Sequence, residues 1–449
     1  MIDESWRATI AFGKRFTSAP WMIPLVYTVG SIIVGFALPR LEHAYFPRYN
    51  HAMSASSALA FFSTIGAGMM ALTGIVFAIA FVVVQFGSLA YSPRLVTIQA
   101  GNRTQFHALG IFFATFIYSV VALSWIDRGG SGIVPYFSTM LVIVLLICSM
   151  IAFTLLIQSV NDLQIHNVLR TIGGTGRKVI QEMFPQTIAG TDLEADESTP
   201  VPISGSLVQR IHYSGEPLVI ASFDLAGLAK LAQRANAVIA IECGVGETLV
   251  ESVTLFNIYD ADRPLPEKDL VRAIRLSTRR TFEQDPKYAI RLLVDVAIKA
   301  LSPAINDPTT AVQALDQIED LLRRLGSRQL DTGYVTDSQG TVRVTFPVPT
   351  WHDYLELSFD EIRQFGGDSI QVVRRLRAAL VGLEDTIPLK RRREAVSAYL
   401  SHLNIGVGSS DFDDTDKVNA LEEDRQGLGL SRKQKVPPLA TASTPVPAE

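Results

Sequence analysis

The stretch from Tyr49 to Pro93 contains no Asp, Glu, Lys or Arg, and most of it is apolar. An uncharged run of this length is typical of a membrane span, because a bilayer core of about 30 Å needs roughly 20 apolar residues in a helix. Three more runs before Asn161 meet the same requirement. The sequence therefore predicts a membrane α-helical domain with four transmembrane helices, at residues 21–38, 60–88, 107–125 and 134–160. It leaves open whether residues 52–59 lie at the interface or extend the second helix.

Charge is divided unevenly along the 449 residues. Residues 1–160 hold eight Lys or Arg and four Asp or Glu, whereas the remainder holds 32 and 40, so the two parts carry net charges near +4 and −8. An acidic domain is a poor general binder of nucleic acid, whose affinity depends on cations placed at phosphates. The two cysteines, Cys148 and Cys243, are too few for a disulfide framework or a CxxC zinc site. We expect a lipid-solvated N-terminal part and a water-solvated C-terminal part that binds no nucleic acid.

The positive charges beside the four spans predict the orientation of the chain. Four spans place both ends on one side, and short cytoplasmic flanks are enriched in Lys and Arg. The side that holds the N-terminus has eight such residues against three on the other, so both termini are expected in the cytoplasm. The first run lacks a small-residue cleavage pattern and is interpreted as a retained anchor. The eight cations are Arg7, Lys14, Arg15, Arg94, Arg103, Arg170, Arg177 and Lys178, and the other three are Arg40, Arg48 and Arg128.

Small residues recur along one face of the second predicted span. Four of them are separated by four, three and four residues, and a glutamine follows one heptad after the last. Such a stripe either lets helices pack closely in lipid or lines a pore, where small side chains leave room and neutral polar groups replace water. In both cases we expect homo-oligomers. The small-residue stripe consists of Ala67, Ala71, Gly74, Ala78 and Gln85.

The C-terminal part changes from strand-like to helical patterns. Residues 161–185 predict a helical exit and connector, made flexible by the glycines at 173, 174 and 176. Alternating apolar residues punctuated by glycines predict a small β-rich lobe at 199–258, a barrel or a sandwich. A mainly helical lobe with a hairpin at 333–346 is expected over 266–403, and a disordered tail over 404–449. The expected fold is a four-helix transmembrane domain, residues 1–160, followed by a cytoplasmic α+β domain.

Few side chains in the C-terminal part suggest chemistry. Four of them could form an acid/base or hard-cation site. The interpretation we favour is structural: Asp307, followed by Pro308, caps a helix, and Asp295 forms a buried ion pair with Arg291 beside Arg280. The basic run 390–393 is interpreted as a solvated helix face, with contact to anionic lipid as the alternative. The four candidates are Asp285, Asp295, Asn306 and Asp307.

Three longer sequence motifs are distinctive enough to indicate a family. The most specific are Ala300-Leu-Ser-Pro-Ala-Ile-Asn-Asp-Pro-Thr-Thr-Ala311 and Arg279-Arg-Thr-Phe-Glu-Gln-Asp285, with Ser92-Pro-Arg-Leu95 nearer the N-terminus. Together they resemble a family of bacterial membrane proteins known as domain of unknown function 2254. The resemblance extends from the first span to Leu403; it implies an inner-membrane protein and supplies no catalytic residue. The family-motif residues, expected to be structural, are Arg280, Asp285, Ser302, Pro303, Asn306, Asp307 and Pro308.

Three classes of function stay open at this point. We favour an oligomeric ion channel or pore with a cytoplasmic regulatory domain, because the four predicted spans hold no buried charge, which counts against a proton-coupled transporter. The alternative is a membrane-anchored sensor or scaffold that binds a ligand, of unknown kind, or a protein through its cytoplasmic domain. An enzyme acting at the membrane surface is least favoured, because the chain has no nucleotide-binding, zinc-protease or nucleophile-elbow motif. We accordingly predict no catalytic residue, metal ligand or cofactor.

Overall fold

The computed structural model describes residues 22–45, 54–90, 94, 104–126, 134–161, 164–188, 205–330 and 333–428. The chain forms two compact units, residues 1–164 and residues 165–449. Each unit has its own buried core, and each is described by itself below.

The N-terminal unit contains four helices that are long and apolar enough to cross a membrane, as the sequence predicts. They are α1 (Met22–Tyr45), α2 (Ala55–Ala90), α3 (Thr104–Leu123) and α4 (Tyr136–Asn161). Helix α3 packs against the other three. Because α2 begins at Ala55, residues 55–59 extend this helix. Helix α1 continues seven residues beyond the predicted end of the first span.

The extra turns of α1 bring a carboxylate into the N-terminal unit. Glu42 is buried, and its two carboxylate oxygens accept hydrogen bonds from the backbone N–H groups of Phe137 at 2.9 Å and Ser138 at 3.2 Å. These N–H groups lie in the first turn of α4, where no intrahelical acceptor is available and where negative charge is favoured. A second polar contact joins Thr115 Oγ1 of α3 to Ser149 Oγ of α4 at 2.9 Å. The two contacts fix α4 against α1 and α3.

The helices of the C-terminal unit surround one largely apolar and mostly buried helix. That helix is α8, and its side chains are buried on nearly every side, as its sequence requires. It packs against α5, α9 and α10, and α9 packs in turn against α11. The helices are α5 (Ile165–Met183), α6 (Leu225–Arg234), α7 (Glu267–Arg272), α8 (Pro286–Ala300), α9 (Pro308–Gly326), α10 (Trp351–Gly366), α11 (Ile370–Thr386), α12 (Lys390–Gly408) and α13 (Asp414–Ala420).

The strands form two sheets. A five-stranded sheet has the order β1-β5-β3-β8-β7, and a three-stranded sheet has the order β4-β2-β6. All neighbours are antiparallel except β3 and β8, which are parallel with Ile239 opposite Val344. The strands are β1 (Leu207–His212), β2 (Leu218–Phe223), β3 (Val238–Ile241), β4 (Thr248–Leu249), β5 (Thr254–Tyr259), β6 (Ile274–Ser277), β7 (Tyr334–Thr336) and β8 (Val342–Thr345).

This topology changes two expectations about the lobes. The strands in the described ranges form two open sheets and no closed barrel. The hairpin predicted within the helical lobe, now β7 and β8, instead completes the five-stranded sheet, and residues 274–277 form a strand beside β2. Strand pairing depends on contacts far apart in sequence, which local alternation does not specify. The β-rich lobe therefore draws strands from both of the predicted lobes.

The prediction of a disordered tail from residue 404 is wrong as far as residue 428. Helix α12 continues to Gly408, and α13 follows with its N-cap Asp413 bonded to the Asp416 N–H at 2.8 Å. Ala420 and Asp424 are fully buried, and α13 packs against α11. Few apolar residues are enough to order this segment, because they pack against the surface of α11. Residues 429–449 lie outside the described ranges.

Candidate functional site

A cavity of about 540 Å³ lies within the C-terminal unit, between the end of α5, the strand edges and the N-terminal ends of α8 and α10. Most of its walls are apolar, and aromatic rings and prolines contribute much of the surface. Cavities of this size and lining are typical of small-molecule sites. The apolar lining residues are Val179, Met183, Phe184, Phe223, Leu225, Val245, Phe282, Pro286, Phe346, Pro347, Val348 and Pro349.

Helix α5 forms one wall of the cavity. Its apolar residues recur every three or four positions, so one face packs on α8 and α9 while Thr175, Lys178, Val179, Glu182 and Met183 line the cavity. The glycines predicted to make this segment flexible lie inside the helix instead. They serve close packing: a Cβ atom on the glycine at 176 would lie 2.9 Å from the Cβ of Ala289 and 3.0 Å from the methyl groups of Leu321.

The opposite wall is the segment 282–287, and two side chains fix it. Gln284, at φ 49°, accepts a hydrogen bond from the N–H of Phe223 at 3.0 Å and donates one to the carbonyl of Phe223 at 3.1 Å. Asp285 is 1% exposed and pairs with Arg280, with Oδ2 2.5 Å from Nε. Both contacts restrain the backbone that carries the lining residues.

A glycine loop packs directly on this ion pair. Gly246 has φ +86°, and a Cβ atom there would lie 2.7 Å from the Arg280 guanidinium and 2.7 Å from Asp285 Oδ2. Its neighbour Val245 lines the cavity. The Asp285 Oδ1 atom is buried without a hydrogen-bond partner among the residues described. The family-motif pair Arg280 and Asp285 thus lies behind the cavity wall and joins it to the β3–β4 loop.

Four charged side chains border the cavity. Glu283 forms an ion pair with Arg275 at 3.0 Å, and the exposed Lys178 lies 3.8 Å from Glu182. Lys287 is half-buried, and no ion pair of Lys287 occurs within the described ranges. The one cation here without a fixed counterion is therefore Lys287, as far as the structure describes the chain.

A separate cleft of about 440 Å³ lies between α8 and α10 and is mainly charged. Arg291 crosses it: the guanidinium binds Asp295 on its own helix, with Nε 2.7 Å from Oδ1, and forks onto the Glu361 carboxylate. The pKa of Arg291 is raised, chiefly by its hydrogen bonds to Glu361. This is the ion pairing expected for Asp295, extended to Glu361 on a second helix.

The remaining family-motif residues form the turn between α8 and α9. The Asp307 carboxylate accepts hydrogen bonds from the Thr310 N–H at 3.1 Å and hydroxyl at 2.5 Å, which makes it the N-cap of α9, with Pro308 as the first helical residue. Asn306 adopts a positive φ of 49°, and its N–H donates to the carbonyl of Ser302 at 2.9 Å. Pro303, which follows Ser302, lies in the same turn. Their exclusively structural role stays a prediction.

Nucleophile and metal chemistry find little support. Burial, together with the nearby carboxylates of Glu247 and Glu242, raises the pKa of the Cys243 thiol to about 11, so the reactive thiolate is disfavoured. No group of three or more His, Cys, Asp or Glu side chains that could hold a metal occurs in the described ranges. The four candidate residues, three acids and Asn306, have local partners: Asp285 pairs with Arg280, Asp295 with Arg291, and Asn306 and Asp307 with the turn before α9.

The four small residues of the small-residue stripe lie on the exposed face of α2. Ala67, Ala71, Gly74 and Ala78 are all exposed, whereas the buried face of α2 carries larger side chains such as Phe62 and Met69. A Cβ atom on Gly74 would meet no other atom within 4 Å. The side chain of Gln85 lies outside the described residues, although its backbone is helical. The stripe is therefore not used to pack α2 against α3 within one chain.

Sequence reasoning missed Glu42, Lys287 and Arg392. Glu42 was missed because it lies beyond the predicted end of the first span, at residue 38. Lys287 was missed because it is an isolated lysine that belongs to no binding motif. Arg392 belongs to the basic run interpreted as solvated, yet it is buried. The Asp-Pro pair before Lys287 indicates a helix start, but it does not indicate a role in ligand binding.

Comparisons with known proteins agree with this architecture. A model of the family DUF2254, described as a predicted membrane protein, matches residues 17–381. An uncharacterized protein of Mycobacterium bovis and one of Mycobacterium tuberculosis H37Rv are each 25% identical over 372 residues, which cover 80% of this chain and 69% of theirs. No solved structure matches. With four apolar helices and a family match over most of its length, the chain is a membrane protein that belongs to the DUF2254 family.

Proposed function

We propose that this protein is a membrane-anchored sensor that binds a small, mainly apolar molecule in the cavity of its C-terminal unit. The observation that carries the proposal is the cavity, about 540 Å³ in volume and lined largely by aromatic, aliphatic and proline side chains. Apolar surface of this kind stays in contact with water unless a ligand covers it, and covering it is favourable by roughly 25 cal/mol per Å².

The order of the helices along the chain suggests how a ligand in the cavity could act on the segment that follows the fourth span. Helix α4 ends at Asn161 and α5 begins at Ile165, and five residues of α5 line the cavity. A ligand shifts a conformational equilibrium by its difference in affinity for the two states. A molecule that binds one position of α5 better than another would therefore act on the segment that follows the fourth span.

Photolabelling of the full-length protein in lipid nanodiscs tests the binding step. The probe is a ten-carbon aliphatic alcohol that carries a diazirine at mid-chain. We expect labelled peptides from 175–184 and 282–287, and slower amide exchange in α5 when the probe is present. Val245→Trp should abolish labelling by filling the cavity, whereas Val250→Trp, at a position that is 47% exposed on the same lobe, should leave it unchanged.

Two outcomes would contradict the sensor proposal. The first is labelling spread over the membrane helices alone, with none in the cavity peptides. The second is equal cavity labelling in the wild type and Val245→Trp, which would place the probe elsewhere on the surface.

A second candidate function, an oligomeric channel, draws on the exposed stripe of α2. Small residues on an unpacked face can meet other copies of the chain or line a pore. If they pack copies together, Gly74→Leu should disrupt the oligomer in detergent and Gln85→Leu should not. If they line a pore, Gln85→Leu should block ion flux in liposomes without a change in oligomer size. A monomer without flux would remove the channel proposal.

We also propose the bacterial inner membrane as the location, with both termini in the cytoplasm. The support is the count of eight cations against three beside the spans, and the family resemblance. In that orientation the cavity would sample cytoplasmic molecules.

A further inference from the structure

We infer that the cavity selects an amphiphile with an apolar chain and one anionic head group, a carboxylate in the simplest case, and that Lys287 binds the head group. This inference rests on the proposed ligand-binding function and names the class of ligand.

The charges around the cavity leave one cation in excess. The carboxylate of Glu283 is neutralised by Arg275 at 3.0 Å. Lys178 and Glu182 lie 3.8 Å apart with most of both side chains exposed, so they offset each other and are screened by water. Lys287 is left as the cation that an entering anion would meet.

The position of Lys287 adds to the positive potential. It is the second residue of α8, a helix of 15 residues whose first turn contains no acidic side chain. A helix N-terminus carries a partial positive charge, so a lysine there is disfavoured unless an anion is near. The N-cap side chain does not supply that anion, because the Asp285 carboxylate makes no capping hydrogen bond and its Oδ2 is paired with Arg280.

The charged cleft on the other side of Lys287 does not neutralise it by direct contact. That cleft includes Asp353, Glu356 and Asp360, but none of these carboxylates forms an ion pair with Lys287 within the described ranges. Asp353 is occupied in the capping box of α10, where it accepts from the Thr350 N–H at 2.7 Å. An anion in the cavity would therefore reach an ammonium group that lacks a fixed partner.

The apolar walls require the rest of the ligand to be a hydrocarbon. Phe223, Phe282 and Phe346 face the same cavity as Lys287, and they offer no hydrogen bonds from their side chains. A fully polar anion would lose hydration against these walls without replacement, which is unfavourable. The combination of one cation and apolar walls matches a carboxylate with an aliphatic chain.

The test compares two photoprobes of equal length on the full-length protein in nanodiscs of zwitterionic lipid. One is the ten-carbon diazirine alcohol described above, and the other is the corresponding carboxylic acid. We expect the acid to half-saturate labelling of peptides 175–184 and 282–287 at a concentration at least about tenfold lower than the alcohol, since charge-assisted contacts are the strong ones. Lys287→Gln should remove that difference by raising the half-saturating concentration of the acid to that of the alcohol.

A matched control and two contrary outcomes make the result decisive. Lys390→Gln should keep the preference for the acid, because the Lys390 side chain is 83% exposed and does not line the cavity. Equal half-saturation by acid and alcohol, or a preference that survives Lys287→Gln, would overturn the inference while the sensor proposal stands. Failure of both probes to label the cavity peptides would overturn both.

Discussion

Arg392 lies in a basic run of four residues, and nothing in the local sequence indicates that it is buried. Its guanidinium is held at the C-terminal end of α9, where Nη1 donates to the carbonyls of Leu325 at 3.3 Å, Gly326 at 3.2 Å and Arg328 at 2.9 Å. It also lies over the Trp351 ring, 5.8 Å from the centroid. Cations are favoured where helix carbonyls lack intrahelical partners. Such a role depends on a helix 65 residues away, which the sequence pattern cannot specify.

Replacing Arg392 with methionine should destabilise the protein by about 2–4 kcal/mol, because three buried carbonyls would lose a charged donor. Lys390→Met is the matched control: the Lys390 side chain is 83% exposed, and its removal should change stability by less than about 0.5 kcal/mol. Thermal unfolding of the full-length variants in one detergent measures both. Equal melting temperatures would mean that the contacts of Arg392 contribute nothing.

The N-cap Asp307, by contrast, could be read from a two-residue pattern, because capping is local. Asp307→Ala should lower stability by roughly 0.5–2 kcal/mol, since the Thr310 N–H would lose its acceptor. Asp307→Ser should preserve most of the stability, because serine is an equally good cap. If Asp307→Ser retains the melting temperature but loses photoprobe binding, the structural account of this residue is wrong.

At the scale of elements, periodicity predicted the helices and strands better than their partners. The alternating pattern predicted a β-rich lobe at 199–258, and strands β1 to β5 lie there, within one residue of its predicted end. The pairing of β8 with β3 was not predictable, because about 100 residues separate the two strands. No local sequence pattern in either strand indicates which strand it pairs with. The cavity depends on that pairing, since Phe346 and Pro347 directly follow β8. Its lining was therefore accessible only from the folded structure.

Two glycines of α5 provide a test of its packing. Gly176→Ala should destabilise by about 1–3 kcal/mol, because the new methyl group would lie 2.9 Å from Ala289 and 3.0 Å from Leu321. Gly174→Ala should instead stabilise by roughly 0.5–1 kcal/mol, since the nearest atom to its Cβ is Arg177 Nη2 at 3.9 Å and alanine favours the helix. Opposite shifts in melting temperature are expected. Stabilisation by both substitutions would mean that α5 is a loosely attached connector.

For the whole molecule, hydropathy identified the boundary between the two units within a few residues. The predicted end of the membrane domain at residue 160 compares with a division after Gln164. Segments that cross lipid must be long and uncharged, and such segments can be recognised directly in the sequence. The predicted lobes did not include the pairing of β8 with β3, because a folded chain can pair segments that lie far apart in sequence. Hydropathy alone also does not give the orientation of the spans, which depends on their flanking charges.

The proposed orientation can be tested with reporter fusions to truncated chains. A fusion after Arg128 contains three spans and should report the external side, and a fusion after Lys178 contains all four and should report the cytoplasm. The physical reason is the excess of Lys and Arg on the N-terminal side, which resists translocation. Adding four lysines next to Arg128 should weaken the preference, whereas adding four glutamates should not, because acidic residues contribute little to this bias. The reverse pattern of reporters would place the cavity outside the cell, where it would sample external molecules.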